Sequence, residues 1–212
     1  MKRYWFFDLD GTLADTDADI REAWRGALRD LGLVCPTFDR DFVAGPPIEA
    51  MAERLFPGLY TDELALRLRN AFGRRYDCGG FPLTREYPGV IERVRELKAG
   101  GAAVFIVTNK RFAGASLMAE KFGWNELFDF LYAGDMYKDD PAVGKLKKSQ
   151  LLAKILRERS IDVGDSVMVG DTASDSEAAA LNGIESVGVV WGYGSAEELS
   201  RFDRLAATPA GI

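Results

Sequence analysis

The stretch that decides the fold covers residues 4–12 and reads YWFFDLDGT. Its first four residues are apolar or aromatic, which predicts a buried β-strand. Asp8 and Asp10 follow that strand, and a carboxylate at the edge of a core is costly unless it has a partner. A hard divalent cation is such a partner, because these ions take carboxylate oxygens as ligands. An ordinary turn is the alternative interpretation, since Asp-Gly is a common turn dipeptide.

The composition limits the kind of protein that this chain can be. Its 212 residues fit one large domain or a core with an insertion, and 47% hydrophobic residues is typical of globular proteins. The net charge of −6 and the lack of a long basic run argue against nucleic acid or an anionic membrane as the main partner. The sequence contains no histidine, which excludes Ser-His-Asp and Cys-His catalysis and any His-ligated metal site.

Cysteine usage and the N-terminal residues favour the cytoplasm. Cys35 and Cys78 are the only cysteines, and nothing indicates a secreted disulfide scaffold, so we expect reduced thiols. The apolar run that follows residues 1–3 is too short for a signal peptide, and no run approaches the length of a membrane span. We therefore expect a soluble cytoplasmic protein, a monomer or a small homo-oligomer, without a membrane partner.

Hydrophobic periodicity predicts two different regions. Residues 15 to about 80 read as helices without a strand, and strands alternate with helices after Pro88-Gly89. Such alternation indicates an α/β fold with a doubly wound parallel sheet. We predict a Rossmann-like core of residues 1–14 and 85–212, with an all-helical cap domain of residues 15–84 inserted after the first strand. The strands predicted after the first are Ala102–Val107, Phe128–Ala133, Ser166–Val169 and, as the last, Ser186–Val190. A capping box, Ser195–Glu198, predicts that a terminal helix follows.

Three of the predicted strands end in residues that can bind or react with a ligand. The first ends in Asp8 and Asp10, the second in Thr108 and Asn109, and the fourth in Asp171, with Thr172 and Asp175 beyond it. In a doubly wound sheet, ligands bind outside the carboxyl ends of the strands, so we expect these groups along one edge. That convergence favours a ligand site over an ordinary turn at Asp8.

The residues at this edge suit phosphoryl transfer. Asp8, Asp10 and Asp171 form an all-oxygen ligand set that suits Mg²⁺, which commonly bridges to a substrate phosphate. An Asp carboxylate can act as a nucleophile and form an aspartyl-phosphate, while a second carboxylate protonates the leaving oxygen and then activates water. The Thr108 hydroxyl, the N–H groups after it and one lysine would complete a phosphate cradle.

Three motifs resemble those of the haloacid dehalogenase superfamily. The sequence DLDGTL at Asp8–Leu13 is similar to the first motif, Thr108-Asn109 to the second, and GDTASD at Gly170–Asp175 to the fourth. Their order and spacing match over nearly the whole chain, and the helical insertion resembles the cap of that family. The segment Trp191–Ser195 is similar to the phosphoglycolate-phosphatase-like branch.

The resemblance implies a role for each candidate residue. Asp8 would be the nucleophile and a metal ligand, and Asp10 the general acid and base, with its backbone carbonyl on the metal. Asp171 would be a metal ligand, and Asp175 would support the metal shell. The candidates for substrate or phosphate binding are Gly11, Thr108, Asn109, the lysine of the third motif, and Lys110, which is otherwise simply exposed.

Several lysines are candidates for the third motif. They are Lys145, Lys147 and Lys148, with Lys138 also possible. Lys148 is favoured because it stands where a helix with an apolar face begins, as in the Lys-x-x-hydrophobic pattern of the branch. The alternative is a solvated surface lysine, since a run of lysines is typical of an exposed face.

Together these observations predict a Mg²⁺-dependent phosphatase that hydrolyses a small phosphorylated metabolite, phosphoglycolate or a similar phosphomonoester, through an aspartyl-phosphate. A phosphomutase of the β-phosphoglucomutase type is the first alternative, but the cap loop at Gly45–Pro47 lacks the arginine that phosphosugar-handling relatives often carry. A non-catalytic regulator that binds a phosphoryl ligand is the second alternative. The presence of both Asp8 and Asp10 argues against it.

Overall fold

The structure is a computed structural model that describes residues 2–141 and 143–212. The chain forms two compact units, one of Met1–Asp15 with Arg85–Ile212 and one of Thr16–Thr84. In chain order the elements are β1 (Tyr4–Phe7), β2 (Ala14–Asp15), α1 (Asp17–Asp30), α2 (Phe38–Asp41), α3 (Ile48–Leu55), α4 (Asp62–Tyr76), β3 (Arg85–Glu86), α5 (Val90–Ala99), β4 (Ala103–Thr108), α6 (Phe112–Phe122), β5 (Phe130–Ala133), α7 (Lys148–Glu158), β6 (Ser166–Gly170), α8 (Ala173–Asn182), β7 (Glu185–Val189), α9 (Ala196–Leu199) and β8 (Arg204–Ala206).

The larger unit is built on a six-stranded sheet in the order β5-β4-β1-β6-β7-β8. All of its strand pairs are parallel, and Phe7 lies opposite Ile106 of β4 on one side and Val169 of β6 on the other. The chain crosses from one half of the sheet to the other between β5 and β6, so β1 and β6 border the topological switch point, where ligands bind in such sheets. The predicted α/β fold with a doubly wound parallel sheet is confirmed.

Both faces of the central strands are buried, which explains why these strands read as continuous apolar runs. Phe6, Phe105 and Met168 belong to a core cluster that also contains apolar residues of α7 and α8. Trp5 and Phe7 alternate with Phe6 along β1 and are buried as well, at 4% and 0% exposure. A sheet covered on both faces leaves the strand ends as the place where polar side chains meet solvent.

The C-terminal region differs from the sequence prediction. Ser186–Val190 is not the last strand, because β8 follows and pairs with β7. The capping box at Ser195 is real, since its side chain accepts a hydrogen bond from Glu198 N, but α9 ends after four residues. The reason that the pattern missed β8 is its length of three residues, of which only Ala206 is buried. The region predicted to hold helices without a strand, residues 15 to about 80, differs from the structure only at Asp15, which ends β2; β2 pairs with β3 in a short antiparallel ribbon at the two borders of that region.

The helical unit, Thr16–Thr84, has its own core. Trp24 of α1 is buried, with its ring 5.8 Å from that of Phe42 and 5.9 Å from that of Phe72. Thr61 caps α4, because its hydroxyl accepts a hydrogen bond from Leu64 N at 3.0 Å. No helix in the described part of the chain is long and apolar enough to cross a membrane.

Candidate active site

The site lies at the carboxyl ends of three adjacent strands. Asp8 follows β1, Thr108 is the last residue of β4, and Asp171 follows β6. Asp8 N donates a hydrogen bond to Val169 O at 2.9 Å, so the parallel pairing of β1 with β6 continues to the first carboxylate. Because the three strands run in the same direction, the side chains after them meet at one edge of the sheet.

Three carboxylates form the centre of the site. One oxygen from each of Asp8, Asp171 and Asp175 lies within 4.8 Å of the others. All three residues are buried, with 8% exposure for Asp8 and 0% for the other two. The sequence analysis named four aspartates for the metal site, Asp8, Asp10, Asp171 and Asp175, and the structure brings together the carboxylates of Asp8, Asp171 and Asp175.

Asp171 is fixed from two sides. Its Oδ1 accepts a hydrogen bond from the Thr12 hydroxyl at 3.1 Å, and its Oδ2 accepts one from Tyr193 N at 2.7 Å. The Tyr193 hydroxyl also donates to Asp15 Oδ1 at 3.1 Å, and Trp191 Nε1 donates to Thr12 O at 3.2 Å. The loop after β7 therefore orients a carboxylate of the site, a role that the sequence analysis did not identify.

Asp175 is held at the start of α8. Its Oδ2 accepts hydrogen bonds from Thr172 N at 3.0 Å and from the Thr172 hydroxyl at 2.9 Å, in a capping box. Its Oδ1 accepts a hydrogen bond from Lys148 Nζ at 2.5 Å. The carboxylate of Asp175 thus stabilises the start of α8 with one oxygen and binds the ammonium of Lys148 with the other.

Lys148 is the lysine that reaches the carboxylates. It is the first residue of α7, its side chain is only 2% exposed, and its Nζ lies 2.9 Å from Asp8 Oδ1 as well as 2.5 Å from Asp175 Oδ1. Burial lowers the pKa of the Lys148 ammonium, but Asp175 and Asp8 raise it by more, so that this pKa lies above its usual value. Lys148 therefore stays charged, whereas the other candidate lysines, Lys138, Lys145 and Lys147, are exposed.

One lysine does not neutralise three carboxylates. Burial, with Asp175 nearby, raises the pKa of Asp8 to about 7. Burial, with Asp175 and Asp8 nearby, raises the pKa of Asp171 to about 8. Both shifts mean that ionisation of a second carboxylate in this cluster is unfavourable unless a cation other than Lys148 is present. A buried, all-carboxylate donor set of this kind fits a hard divalent cation, and Asp8, Asp171 and Asp175 are the residues that could hold it.

Glycines allow the backbone to approach these carboxylates closely. Gly11 has a φ of +78°, and a Cβ at this residue would stand 2.2 Å from Asp171 Oδ2. A Cβ at Gly194 would stand 1.7 Å from the backbone oxygen of Asp171. Side chains at either position would displace Asp171, so the two glycines are part of the site although neither carries a functional group.

Asp10 and Lys110 form a second ion pair next to the carboxylate cluster. Lys110 Nζ donates to Asp10 Oδ1 at 2.9 Å, and the exposed fractions of the two side chains are 3% and 21%. Lys110 is therefore not an exposed residue, which was one of its two predicted interpretations. Its ammonium lies on Asp10, which is outside the group of carboxylates that could hold a metal.

The remaining predicted residues lie at the end of β4. The Thr108 hydroxyl accepts a hydrogen bond from Lys110 N at 3.1 Å and is buried. Asn109 is exposed, and its Nδ2 donates to Ser174 Oγ at 2.9 Å. Asn109 thus connects the end of β4 to the start of α8, which follows β6.

Comparison with known proteins gives the class of this protein. The sequence model of the haloacid dehalogenase-like hydrolases matches residues 5–189, and the chain belongs to this family. A probable phosphatase, IndB, of Dickeya dadantii is 34% identical over 94% of this chain and 86% of its own length. A phosphoglycolate phosphatase of Agrobacterium fabrum is 32% identical over 88% of this chain and 80% of its own length.

Known structures agree with this assignment. A haloacid dehalogenase-like hydrolase from Streptococcus pneumoniae superimposes with a TM-score of 0.82 at 25% identity, over 99% of this chain and 95% of that one. With this fold, with phosphatases among its relatives and with an acidic cluster at the strand ends, the protein is a phosphoric monoester hydrolase.

Proposed function

We propose that the protein is a Mg²⁺-dependent phosphatase that hydrolyses a small phosphorylated metabolite through an aspartyl-phosphate on Asp8. The observation that carries the proposal is the buried cluster of Asp8, Asp171 and Asp175, in which Asp8 and Asp175 contact the ammonium of Lys148. The excess of negative charge in this cluster calls for a cation, and a phosphate bound beside it would need one as well. Asp8 is the carboxylate placed directly after the central strand β1.

The metal ion would be held by Asp8 and Asp171, with Asp175 in support and the backbone carbonyl of Asp10 as a further ligand. When bound, Mg²⁺ supplies positive charge that neutralises the phosphoryl oxygens and the carboxylates. All of these donors are oxygen atoms, which suits Mg²⁺ better than ions that prefer nitrogen or sulfur ligands.

Asp8 is oriented for nucleophilic attack. Its Oδ1 accepts hydrogen bonds from Leu9 N at 2.7 Å and from Lys148 Nζ, so Oδ2 is the oxygen that attacks phosphorus. The bond from Asp8 Oδ2 to phosphorus forms while the bond from phosphorus to the ester oxygen breaks. The electron pair of the broken bond leaves with the ester oxygen, which takes a proton from the Asp10 carboxyl.

The second half of the reaction releases the phosphoryl group. A water molecule attacks phosphorus, Asp10 takes a proton from that water, and the bond between phosphorus and Asp8 Oδ2 breaks. Inorganic phosphate leaves, the Asp8 carboxylate is restored, and Asp10 is protonated for the next cycle. Thr108, Asn109 and Lys148 are proposed to bind the phosphoryl oxygens through hydroxyl, N–H and ammonium donors, whereas the N–H of Gly11 already donates to Ala14 O at 3.0 Å.

The substrate is proposed to be a small phosphomonoester such as phosphoglycolate. The name of the relative from Agrobacterium fabrum supports this class of substrate. The helical unit, Thr16–Thr84, is proposed to act as a cap that selects the substrate and excludes water from the reaction.

The test is phosphate release from a panel of phosphorylated metabolites with and without Mg²⁺. We expect Mg²⁺-dependent release of phosphate, its loss in Asp8→Asn, and no effect of Asp139→Asn, which changes an exposed aspartate in the same way. Full activity in Asp8→Asn would disprove the proposal. An isomerised phosphate ester without free phosphate would indicate a mutase, and tight ligand binding without turnover would indicate a regulator.

A further inference from the structure

Glu198 of α9 connects the loop after β7 to the start of α8. Its Oε1 accepts a hydrogen bond from Ala173 N at 3.3 Å, and its Oε2 accepts bonds from Ser195 N at 2.9 Å and from the Ser195 hydroxyl at 3.0 Å. The bonds from Ser195 belong to the capping box of α9. The bond from Ala173 comes from a different element, so the capping of α9 does not account for it.

Ala173 lies midway between two carboxylates of the site. It is the first residue of α8, so its N–H has no acceptor inside the helix and needs one from elsewhere. The Glu198 carboxylate supplies that acceptor at the end of the helix where a negative charge is stabilising. Asp171 stands two residues before Ala173 and Asp175 two residues after it, so the position of Ala173 N limits where both carboxylates lie.

The loop at the other end of this link lies directly against Asp171. Tyr193 N donates a hydrogen bond to Asp171 Oδ2 at 2.7 Å. Gly192 and Gly194 leave no room for a side chain, because a Cβ at either position would overlap atoms of Asp171. A movement of this loop away from α8 would therefore remove a donor from Asp171, and Glu198 opposes that movement.

We propose that Glu198 is a positioning residue for the metal site, which fixes the spacing between the loop after β7 and the start of α8 and thereby holds Asp171 and Asp175 where they bind a cation together. In the described part of the chain, Glu198 itself is outside the group of carboxylates that could hold a metal. The inference rests on the proposed function, in which this site binds Mg²⁺. Groups that orient the ligands of a metal typically contribute about 10–100-fold to its affinity.

The competing role of Glu198 is purely structural, namely the capping of α9. In that role its loss would lower the stability of the protein and leave the Mg²⁺ affinity of the folded molecules unchanged. The experiment is a calorimetric titration of the full-length protein with Mg²⁺ and without substrate, at a temperature where circular dichroism shows that each variant is folded. The dissociation constant obtained in this way is independent of phosphate release.

Two variants break the link in different ways. Glu198→Gln keeps the size of the side chain but leaves one acceptor oxygen, so the donors at one end of the link lose their partner. Ala173→Pro removes only the N–H, and proline is favoured at the first position of a helix. Thr172 has φ −118° and ψ 167°, an extended backbone that is compatible with a following proline.

Two further variants serve as controls. Glu197→Gln makes the same change at the neighbouring residue, which is exposed and pairs with Arg201. Ser195→Ala removes the hydroxyl that caps α9 but keeps the bonds from Ser195 N and Ala173 N to Glu198. Both controls should bind Mg²⁺ as the wild type does, although Ser195→Ala should be less stable.

We expect the Mg²⁺ dissociation constant to rise by about 10-fold in Glu198→Gln and in Ala173→Pro. The combined variant should bind little more weakly than either single variant, because both changes break the same link and their effects are not additive. The Mg²⁺ concentration for half-maximal phosphate release should rise by the same factor.

An unchanged dissociation constant in either folded variant would overturn the inference, and one variant decides the matter if the other does not fold. Equal weakening in Ser195→Ala would also overturn it, because the effect would then come from the cap of α9. In both cases the proposed function stands, since the wild type still binds Mg²⁺ and releases phosphate. A wild-type protein that binds no Mg²⁺ would instead count against the proposed function, and the inference would fall with it.

Discussion

The ammonium of Lys148 lies 2.9 Å from Oδ1 of Asp8, although the two residues are far apart in the sequence. The parallel sheet makes this possible, because β1 ends beside β6 and α7 precedes β6 along the chain. The side chain of Lys148 is 2% exposed, so its charge is balanced by carboxylates and not by water. The stability of the site and its proposed chemistry therefore depend on the same pair of residues.

Replacement of Lys148 by Met should remove activity and destabilise the protein. Loss of one partner from a buried ion pair costs about 3–5 kcal/mol, and loss of a charged donor from a phosphoryl site costs about 10²–10³-fold in rate. Lys145→Met is the matched control, because Lys145 belongs to the same run of lysines but is exposed. The measurements are phosphate release and urea unfolding. A larger loss of activity in Lys145→Met than in Lys148→Met would contradict the choice of lysine.

The metal-free protein should lose stability as the pH rises from about 5 to about 8. Burial, chiefly, raises the pKa of Asp8 to about 7 and of Asp171 to about 8, above the value of 3.8 for an ordinary Asp. The folded protein then binds protons that the unfolded chain has lost, so these groups stabilise the fold below the unfolded pKa. That contribution is lost as the pH rises through the folded values, by up to about 1.4 kcal/mol per pH unit and group.

Mg²⁺ should oppose this trend. The ion binds the ionised carboxylates, so its stabilising effect should grow with pH, and the difference between protein in Mg²⁺ and protein in chelator should be greatest near the upper end of the range. Thermal unfolding across the range, in both conditions, gives the measurement. Asp171→Asn should flatten the pH dependence without metal. Stability that rises with pH in chelator would show that the carboxylates are not the dominant titrating groups.

Gly11→Ala should weaken Mg²⁺ binding as well as the fold. The new Cβ would stand 2.2 Å from Asp171 Oδ2, and the φ of +78° adds about 1–2 kcal/mol of strain for a residue other than glycine. Gly123→Ala is the control, because Gly123 has a φ of +70° but no atom within 4 Å of the added Cβ. Both variants should be less stable, and only Gly11→Ala should need more Mg²⁺ for activity. An equal Mg²⁺ requirement in the two variants would mean that Asp171 tolerates the contact.

Asp175→Asn should reduce both helix stability and activity. The Asp175 carboxylate accepts from Lys148 on one oxygen and from Thr172 N and its hydroxyl on the other. An amide has only one acceptor oxygen, so one set of donors would face an NH₂ group, at a cost of about 1–3 kcal/mol. Ser176→Ala, at the next buried residue of α8, should change stability by less and leave Mg²⁺-dependent phosphate release unaltered. Equal effects of the two substitutions would argue against a special role of Asp175.

Much of the fold follows from the pattern of the sequence. The apolar run that ends at Asp8 predicts a buried strand, and the structure has β1 at Tyr4–Phe7 in the centre of the sheet. Strands alternating with helices predict the parallel sheet for a physical reason, because a helix is needed to return the chain to the same end of the sheet. β8 could not be predicted in this way, since a three-residue strand has too few buried positions to form a pattern.

The partners inside the site were decided by the tertiary structure. The sequence places Asp8, Thr108 and Asp171 at the ends of strands, because each apolar run stops abruptly there. Since the strands are parallel, their carboxyl ends then lie at the same edge of the sheet. It also places Asp175 at this edge, but it does not show that an oxygen of Asp175 lies within 4.8 Å of one from Asp8 and one from Asp171, or that Lys110 binds Asp10, because both depend on distances of a few ångströms between segments far apart in the chain. Nor does it show that Tyr193 N binds Asp171, since a backbone donor leaves no mark on the choice of residue. The sequence thus determined the chemistry available at the sheet edge, and the close packing of the loops determined which groups act on one another.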